Sequence, residues 1–190
     1  MNLHFGNLWL VITVYNNQHM GMCGEKCAQD YGFSREDQDA YAMESYRRAQ
    51  SAVANKSFSI TPVEVPQRRG DPVVVAQDEE PNSIQLEKLP KLRPAFTKDN
   101  GTITAANASS LNDGAAALVL MTEQDAQNWG IEPVARILGY GDAEQEPVNF
   151  TTAPSLAVPV ALDHANVQAS DIEFHEINEA FSVVALYVIW

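Results

Sequence analysis

The residues best placed to do chemistry are Asn178-Glu179-Ala180-Phe181, where an expected strand (172–177) hands over to an expected helix (179 onward). In a parallel sheet, ligands collect at the carboxyl ends of strands. An asparagine at such an end can hold a water or donate to a developing oxyanion. Asparagine is also a favoured helix N-cap, and spacing alone leaves both readings open for Asn178. A second pattern is His19-x3-Cys23-x3-Cys27, which would align on one helical face. Zinc usually takes four ligands, with cysteines in closely spaced pairs, so buried thiols are expected here rather than a metal. A nucleophilic Cys23 would need a helix start or a basic neighbour; Glu25 opposes this and Lys26 only partly offsets it. His164 and His175 have no evident partners in sequence and read as surface or packed histidines. No G-x-S-x-G elbow, P-loop or G-x-G-x-x-G is present.

The elements that would position these residues can be read from capping and periodicity. Ser34-Arg35-Glu36-Asp37 is a capping box, and Ala42, Tyr46, Ala49 and Val53 continue a helical stripe that ends near Ser57. Tyr46 therefore faces inward. The β-branched runs 58–65 and 73–76, joined by a turn-rich link through Gly70 and Pro72, predict a hairpin. Residues 86–89 predict one helical turn, and Pro90 and Pro94 keep the next stretch extended. Residues 100–113 are small and polar, which lets a ligand or another chain approach the backbone closely. The run 115–121 suits a strand buried on both faces, and Thr122-Glu123-Gln124-Asp125 opens a short helix. Beyond Pro133 the order is strand (134–140), helix (154–166), strand (172–177), helix (179 onward). That alternation is the signature of a parallel sheet with helical crossovers. A boundary near 129–132 divides the chain.

Composition narrows the function classes. The 190 residues carry a net charge of −13, which argues against nucleic acid and against an anionic membrane surface. Hydrophobic content of 45% and charged content of 19% are those of a globular chain. Two cysteines make no disulfide framework and point to a reducing compartment. N-x-Ser/Thr triplets at Asn55, Asn100, Asn107 and Asn149 are expected by chance. The apolar stretch 8–14 has no basic leader or cleavage site and is far shorter than the ~20 residues of a membrane span. It is expected to be a buried strand or a disordered end.

Six stretches together resemble a known family, the thiolases of the acetyl-CoA acetyltransferase type. They are His19-Met20-Gly21-Met22-Cys23 with Glu25, the run from Ser34 to Tyr41, Lys91-Leu92-Arg93-Pro94-Ala95-Phe96, the run from Asn100 to Ser109, Leu111-Asn112-Asp113-Gly114-Ala115-Ala116-Ala117, and Asn178-Glu179-Ala180-Phe181. They stand in the family's order and cover about 15–186. The resemblance implies an α/β chain with a partial thiolase-like fold. It would hold the loop domain, the last strand of the first half and the start of the second half's parallel βαβ. The implied domains are an unassigned segment 1–14, a partial N-terminal domain 15–128, mostly the loop domain that binds coenzyme A, and a partial C-terminal domain 129–190.

It also implies function. Thiolases join or split acyl-CoA thioesters by Claisen chemistry. By the match, Ser109 would meet the pantetheine arm, His19, Met20, Phe96 and Phe181 would line its approach, and Lys88 would lie near the CoA head. Asn178 would hold the water that completes an oxyanion hole. Tyr46 resembles a tyrosine that joins the carbonyls of Ala105, Ala106 and Ala108 around a potassium ion. No tightly bound cofactor is implied; acyl-CoA is the substrate, the family assembly is a homotetramer, and the compartment is cytoplasmic or mitochondrial. Neither Asn82 nor Ser83 is basic, where family members often carry an arginine facing the CoA nucleotide. Claisen chemistry needs a thiolate and a base. The family's Cys-small-Ser-Gly, Gly-His-Pro and second-cysteine motifs have no counterpart here, so the chain alone is expected to be inactive. It is then either an incomplete acetyltransferase or an inactive CoA-binding or subunit-association module. With its sheet neighbours missing, the run 115–121 and the apolar helix after Glu179 are expected to be exposed.

Overall fold

The computed structural model describes Ile12, Thr13, Tyr15 and residues 17–189. The expectation for 8–14 lies outside the described residues except at Ile12–Thr13. That pair forms β1, antiparallel to β2 (Gln18–His19). Helix α1 (Met20–Tyr31) follows, with the His19 side chain accepting from the Gly21 amide and Gly32 closing the end at φ 74°. Sequence periodicity did not single out α1, because two glycines and a polar run blur its apolar stripe. Those small residues are a packing requirement: a Cβ on Gly24 would stand 2.3 Å from the Ile103 side chain.

Helix α2 (Arg35–Ala54) begins at the expected capping box, with both reciprocal bonds between Ser34 and Asp37 in place. The hairpin also forms, as β3 (Val63–Val65) and β4 (Val73–Val75) in the register Val63↔Val75. All six of its strand residues are exposed. A short helix α3 (Glu80–Ser83) and a 3₁₀ turn (Leu86–Lys91) bring the chain back against α2. Helix α4 (Glu123–Trp129) is capped by Thr122, as its sequence requires. Helix α5 (Ala153–Ala165) and helix α6 (Ser182–Ile189) complete the order.

The core sits where α1, residue Ile103 and α6 meet. Cys27, Ala28, Ile103, Phe181, Val183 and Val184 form one buried cluster, and Ala42, Leu89 and Ala106 a second one under α2. Helix α6 corrects one expectation: Val183 and Ala185 are fully buried and Val184 nearly so. The first half of its apolar surface finds α1 and α2 without a sheet to cover it, while Ile189 at its end is 65% exposed.

Three other expectations fail in the opposite direction. Residues 115–121, 134–140 and 172–177 are irregular rather than strands. Among the described residues the two ladders formed are both antiparallel and lie elsewhere. A strand is held by a neighbour that takes up its N–H and C=O groups, and these segments meet none. Their side chains accordingly stand in solvent, with Leu118 at 88% and Val119 at 85% exposure. Helix α5, although apolar, has no buried residue. It does lie close on the 134–140 segment, since a Cβ on Gly139 would meet the α5 backbone at 2.7 Å. No helix among the described residues is long and apolar enough to cross a membrane.

Candidate functional site

The small-residue loop 101–109 is the centre of the site, and two carboxylates shape it, Glu25 half-buried and Asp39 buried. The Glu25 carboxylate on α1 accepts from the Thr102 amide at 2.8 Å, the Ile103 amide at 3.1 Å and the Thr102 hydroxyl at 2.8 Å. Two backbone donors that would otherwise be orphaned are thereby satisfied. On the other side, Asn107 is wholly engaged. Its Oδ1 accepts from the Thr104 amide at 2.8 Å, and its Nδ2 donates to the Thr102 carbonyl and to Asp39 Oδ1, each at 2.9 Å. Asp39 is in turn paired with Arg35 at 2.7 Å. The Arg35 guanidinium also donates to the carbonyls of Leu89 and Leu92. A run of mostly small residues is thus fixed by hydrogen bonds as well as by the burial of Ile103 and Ala106.

The loop is stitched to the start of α6. Ser109 donates its amide to the Ala180 carbonyl and Ser182 donates to the Asn107 carbonyl, both at 2.9 Å, flanking the antiparallel bridge Ala108↔Phe181. Asn178 lies four residues before α6 begins, so it is not that helix's N-cap, which removes one of its two readings. Next to it, the Glu179 carboxylate accepts from Tyr41 Oη at 2.7 Å and from Ser45 Oγ, both on α2. Burial, then this carboxylate, pushes the Tyr41 phenol well above its ordinary pKa.

A cavity of about 300 Å³ opens between these parts. It is lined by Tyr46, Ala106, Ala108, Ser109, Asn178 and Glu179 among others, and such a volume is within the range of ligand sites. Asp78 and Glu80 stand at its edge, and Tyr46 Oη reaches Glu80 at 3.4 Å. A larger cavity of about 430 Å³ lies between 119–121 and 131–137, a mostly apolar cleft between uncovered segments whose polar lining is Thr122, Glu123 and Arg136.

The structure therefore brings Tyr46, Ala106, Ala108, Ser109 and Asn178 to one cavity. His19, Met20, Phe96 and Phe181 do not line it; Met20, Phe96 and Phe181 meet in the core cluster, the His19 and Phe96 rings are 4.5 Å apart, and Phe96 meets Phe181 edge-on at 6.5 Å. Burial lowers the His19 pKa, favouring its neutral form. Lys88 is exposed on the 3₁₀ turn and lines neither cavity. Cys23 and Cys27 are buried, and burial raises both thiols, so neither is a ready thiolate. No group of three or more His, Cys, Asp or Glu side chains that could hold a metal occurs among the described residues. His164 packs edge-on against Tyr140. Sequence reasoning assigned no role to Asp39 or Asn107, and none to Glu179 within its motif; a polar residue inside an otherwise inward-facing helical stripe, as at Asp39, was the available signal.

The residues that resemblance assigns to a potassium ion can be tested against this geometry. The loop's hydrogen bonds end on the carbonyls of Thr102, Ile103 and Asn107. Ala108 occupies the non-hydrogen-bonded position of its bridge, so its carbonyl points away from Phe181. Tyr46, Ala106 and Ala108 share the cavity wall while Ala105 lies off it, so three of the four residues are gathered, and their donors are oxygens, as a hard cation requires.

Comparison with known proteins gives a consistent picture. Residues 7–124 match the thiolase N-terminal domain and residues 131–190 the thiolase C-terminal domain. An acetyl-CoA acetyltransferase of Schizosaccharomyces pombe is 52% identical over 175 residues, covering 90% of this chain and 44% of that protein. The Acat5 thiolase from Ascaris suum, solved in complex with coenzyme A, superposes with a TM-score of 0.87 at 46% identity, over 94% of this chain and 46% of its own. The Bacillus anthracis acetyl-CoA acetyltransferase gives a TM-score of 0.90 at 38% identity, over 95% of this chain and 46% of its own. Further relatives are named for the cytosol in Gibberella zeae and for the mitochondrion in Danio rerio. The chain spans less than half the length of the relatives it matches.

Proposed function

Because the chain belongs to the thiolase family and carries part of that family's α/β fold, we propose that it serves an acetyl-CoA acetyltransferase. Its part is the wall that receives the acyl-CoA substrate. The observation that carries this reading is the single cavity shared by Ser109, the small residues of the loop and Asn178. A thin pantetheine arm can run along a backbone whose side chains are Ala and Ser, because nothing projects to block it. The Asn178 amide can hold a water against the thioester oxygen as negative charge develops during α-proton removal. A preorganised donor of that kind contributes roughly 10²–10³ in rate.

The thiolate that carries the acyl group and the base that takes the proton lie outside the residues gathered at this cavity, whose wall holds no Cys or His. A potassium ion held by Tyr46 and the carbonyls of Ala105, Ala106 and Ala108 would brace the pantetheine loop. The substrate-side residues His19, Met20, Phe96 and Phe181 would bound the approach, with Lys88 toward the nucleotide. The domain division near 129–132, a homotetrameric assembly and a cytosolic or mitochondrial site belong to the same reading.

Calorimetric titration of the chain with coenzyme A tests it. Binding is expected, and Ser109→Trp should abolish it by filling the pantetheine path, whereas His164→Ala should leave it unchanged. Equal loss from both substitutions, or no binding by the unaltered chain, would contradict the placement of the pocket.

A further inference from the structure

Asn178 must present its amide to the cavity, yet it lies on an exposed segment, and no side-chain hydrogen bond of its own is found among the described residues. What holds it comes from the next residue. The Glu179 carboxylate receives one hydrogen bond on each oxygen, from Tyr41 and from Ser45 one turn along α2. Helix α2 is the best-anchored element nearby: it starts at a complete capping box and, through Arg35 and Asp39, braces Asn107 in the loop opposite. The same helix therefore ties down both walls of the cavity, the Ser109 wall through Asn107 and the Asn178 wall through Glu179. The other attachments of the 178–182 segment, at Ala180 and Ser182, run to the loop and not to α2. Removing the carboxylate would leave Asn178 hanging from one side only.

We propose that Glu179 is a positioning residue for the acyl transfer. Its clamp onto Tyr41 and Ser45 fixes the backbone that aims Asn178 at the thioester oxygen. This rests on the acyltransferase reading for the role of Asn178, while the clamp itself does not. A carboxylate is suited to the task because it accepts on two oxygens without needing a proton, and both partners are hydroxyl donors.

Two measurements test it. In this chain, amide hydrogen exchange of 177–180 should quicken about tenfold or more in Tyr41→Phe/Ser45→Ala and in Glu179→Ala, with α1 unchanged. Glu179→Gln, which keeps one acceptor oxygen, should fall between. In the acetyltransferase assembled with this chain, the same substitutions should lower kcat about tenfold or more while KM for acyl-CoA stays within about twofold. That is the pattern of an interaction realised only in the transition state. Unchanged exchange at 177–180 would overturn the clamp. A parallel rise in KM would overturn the positioning role and reduce Glu179 to a support of the pocket. An unaltered assembly without turnover counts against the acyltransferase reading, and the exchange result then stands as the test of the clamp.

Discussion

Residues 118–120 and residues 183–185 are both three consecutive apolar side chains, Leu-Val-Leu and Val-Val-Ala, and they end in opposite environments. Leu118, Val119 and Leu120 are 72–88% exposed, whereas Val183, Val184 and Ala185 are no more than 5% exposed. The difference lies in what each run meets. Helix α6 completes its own backbone hydrogen bonds and needs only side chains to pack on, which α1 and α2 supply. A strand-like run needs a neighbouring backbone before its side chains can be organised. The region built from α1, α2, the 101–109 loop and α6 is thus closed, and the region from 110 to 140 with 172–177 is open. The open region is apolar enough to join a sheet, and as it stands it is the part prone to association.

Paired substitutions in the two regions should separate them most strongly. Ile103→Ala empties a fully buried site and should cost about 3 kcal/mol of unfolding free energy in urea titration. Leu120→Ala, at 72% exposure, should change it by less than about 0.5 kcal/mol. Comparable losses would show that the open region is packed in solution. Next in size, Asn107→Ala strips partners from the Thr104 amide and Asp39. It should cost about 2 kcal/mol and weaken coenzyme A binding, a coupling that no substitution in 134–140 should show. Ser34→Ala removes the α2 cap and should cost about 1 kcal/mol.

Smaller effects follow from ionisation. The Tyr41 pKa is raised in the folded chain by burial and then by Glu179. Its contribution is fully present below the unfolded phenol value of about 10 and is lost as pH rises from there through the folded value. Stability measured across alkaline pH should therefore fall more steeply for the unaltered chain than for Tyr41→Phe; parallel curves would contradict the shift. The raised thiols of Cys23 and Cys27 should react with alkylating reagents far more slowly in the folded chain than in urea near pH 8.

Local signals were legible where they are self-contained. Ser34 with Asp37, and Thr122 with Asp125, cap helices whose first turns carry the whole signal, and the hairpin followed from β-branched runs around a Gly-Pro turn. Of the residues that the motifs singled out, Asn178, Ser109, Tyr46, Ala106 and Ala108 line one cavity, whereas Ala105 and Lys88 do not. Glu25, Asp39, Asn107 and Glu179 were not legible as braces, because each has a partner 68 to 138 residues away in the chain, and Glu25 itself sits on a helix whose periodicity is blurred by glycine. The runs 115–121, 134–140 and 172–177 show the converse. Their composition reports an affinity for a sheet, and composition cannot report whether a neighbour is there.

Peptide-resolved hydrogen exchange of the chain, with and without coenzyme A, tests most directly whether the closed region is a self-sufficient unit that carries the acyl-CoA wall. Slow exchange should be confined to α1, α2, 102–109 and 182–186, with 115–121, 134–140 and 172–177 exchanging fast. Coenzyme A should add protection at 104–110 and 178–182 alone. Uniform protection across both regions, or a coenzyme A footprint on 119–121 and 131–137, would contradict it.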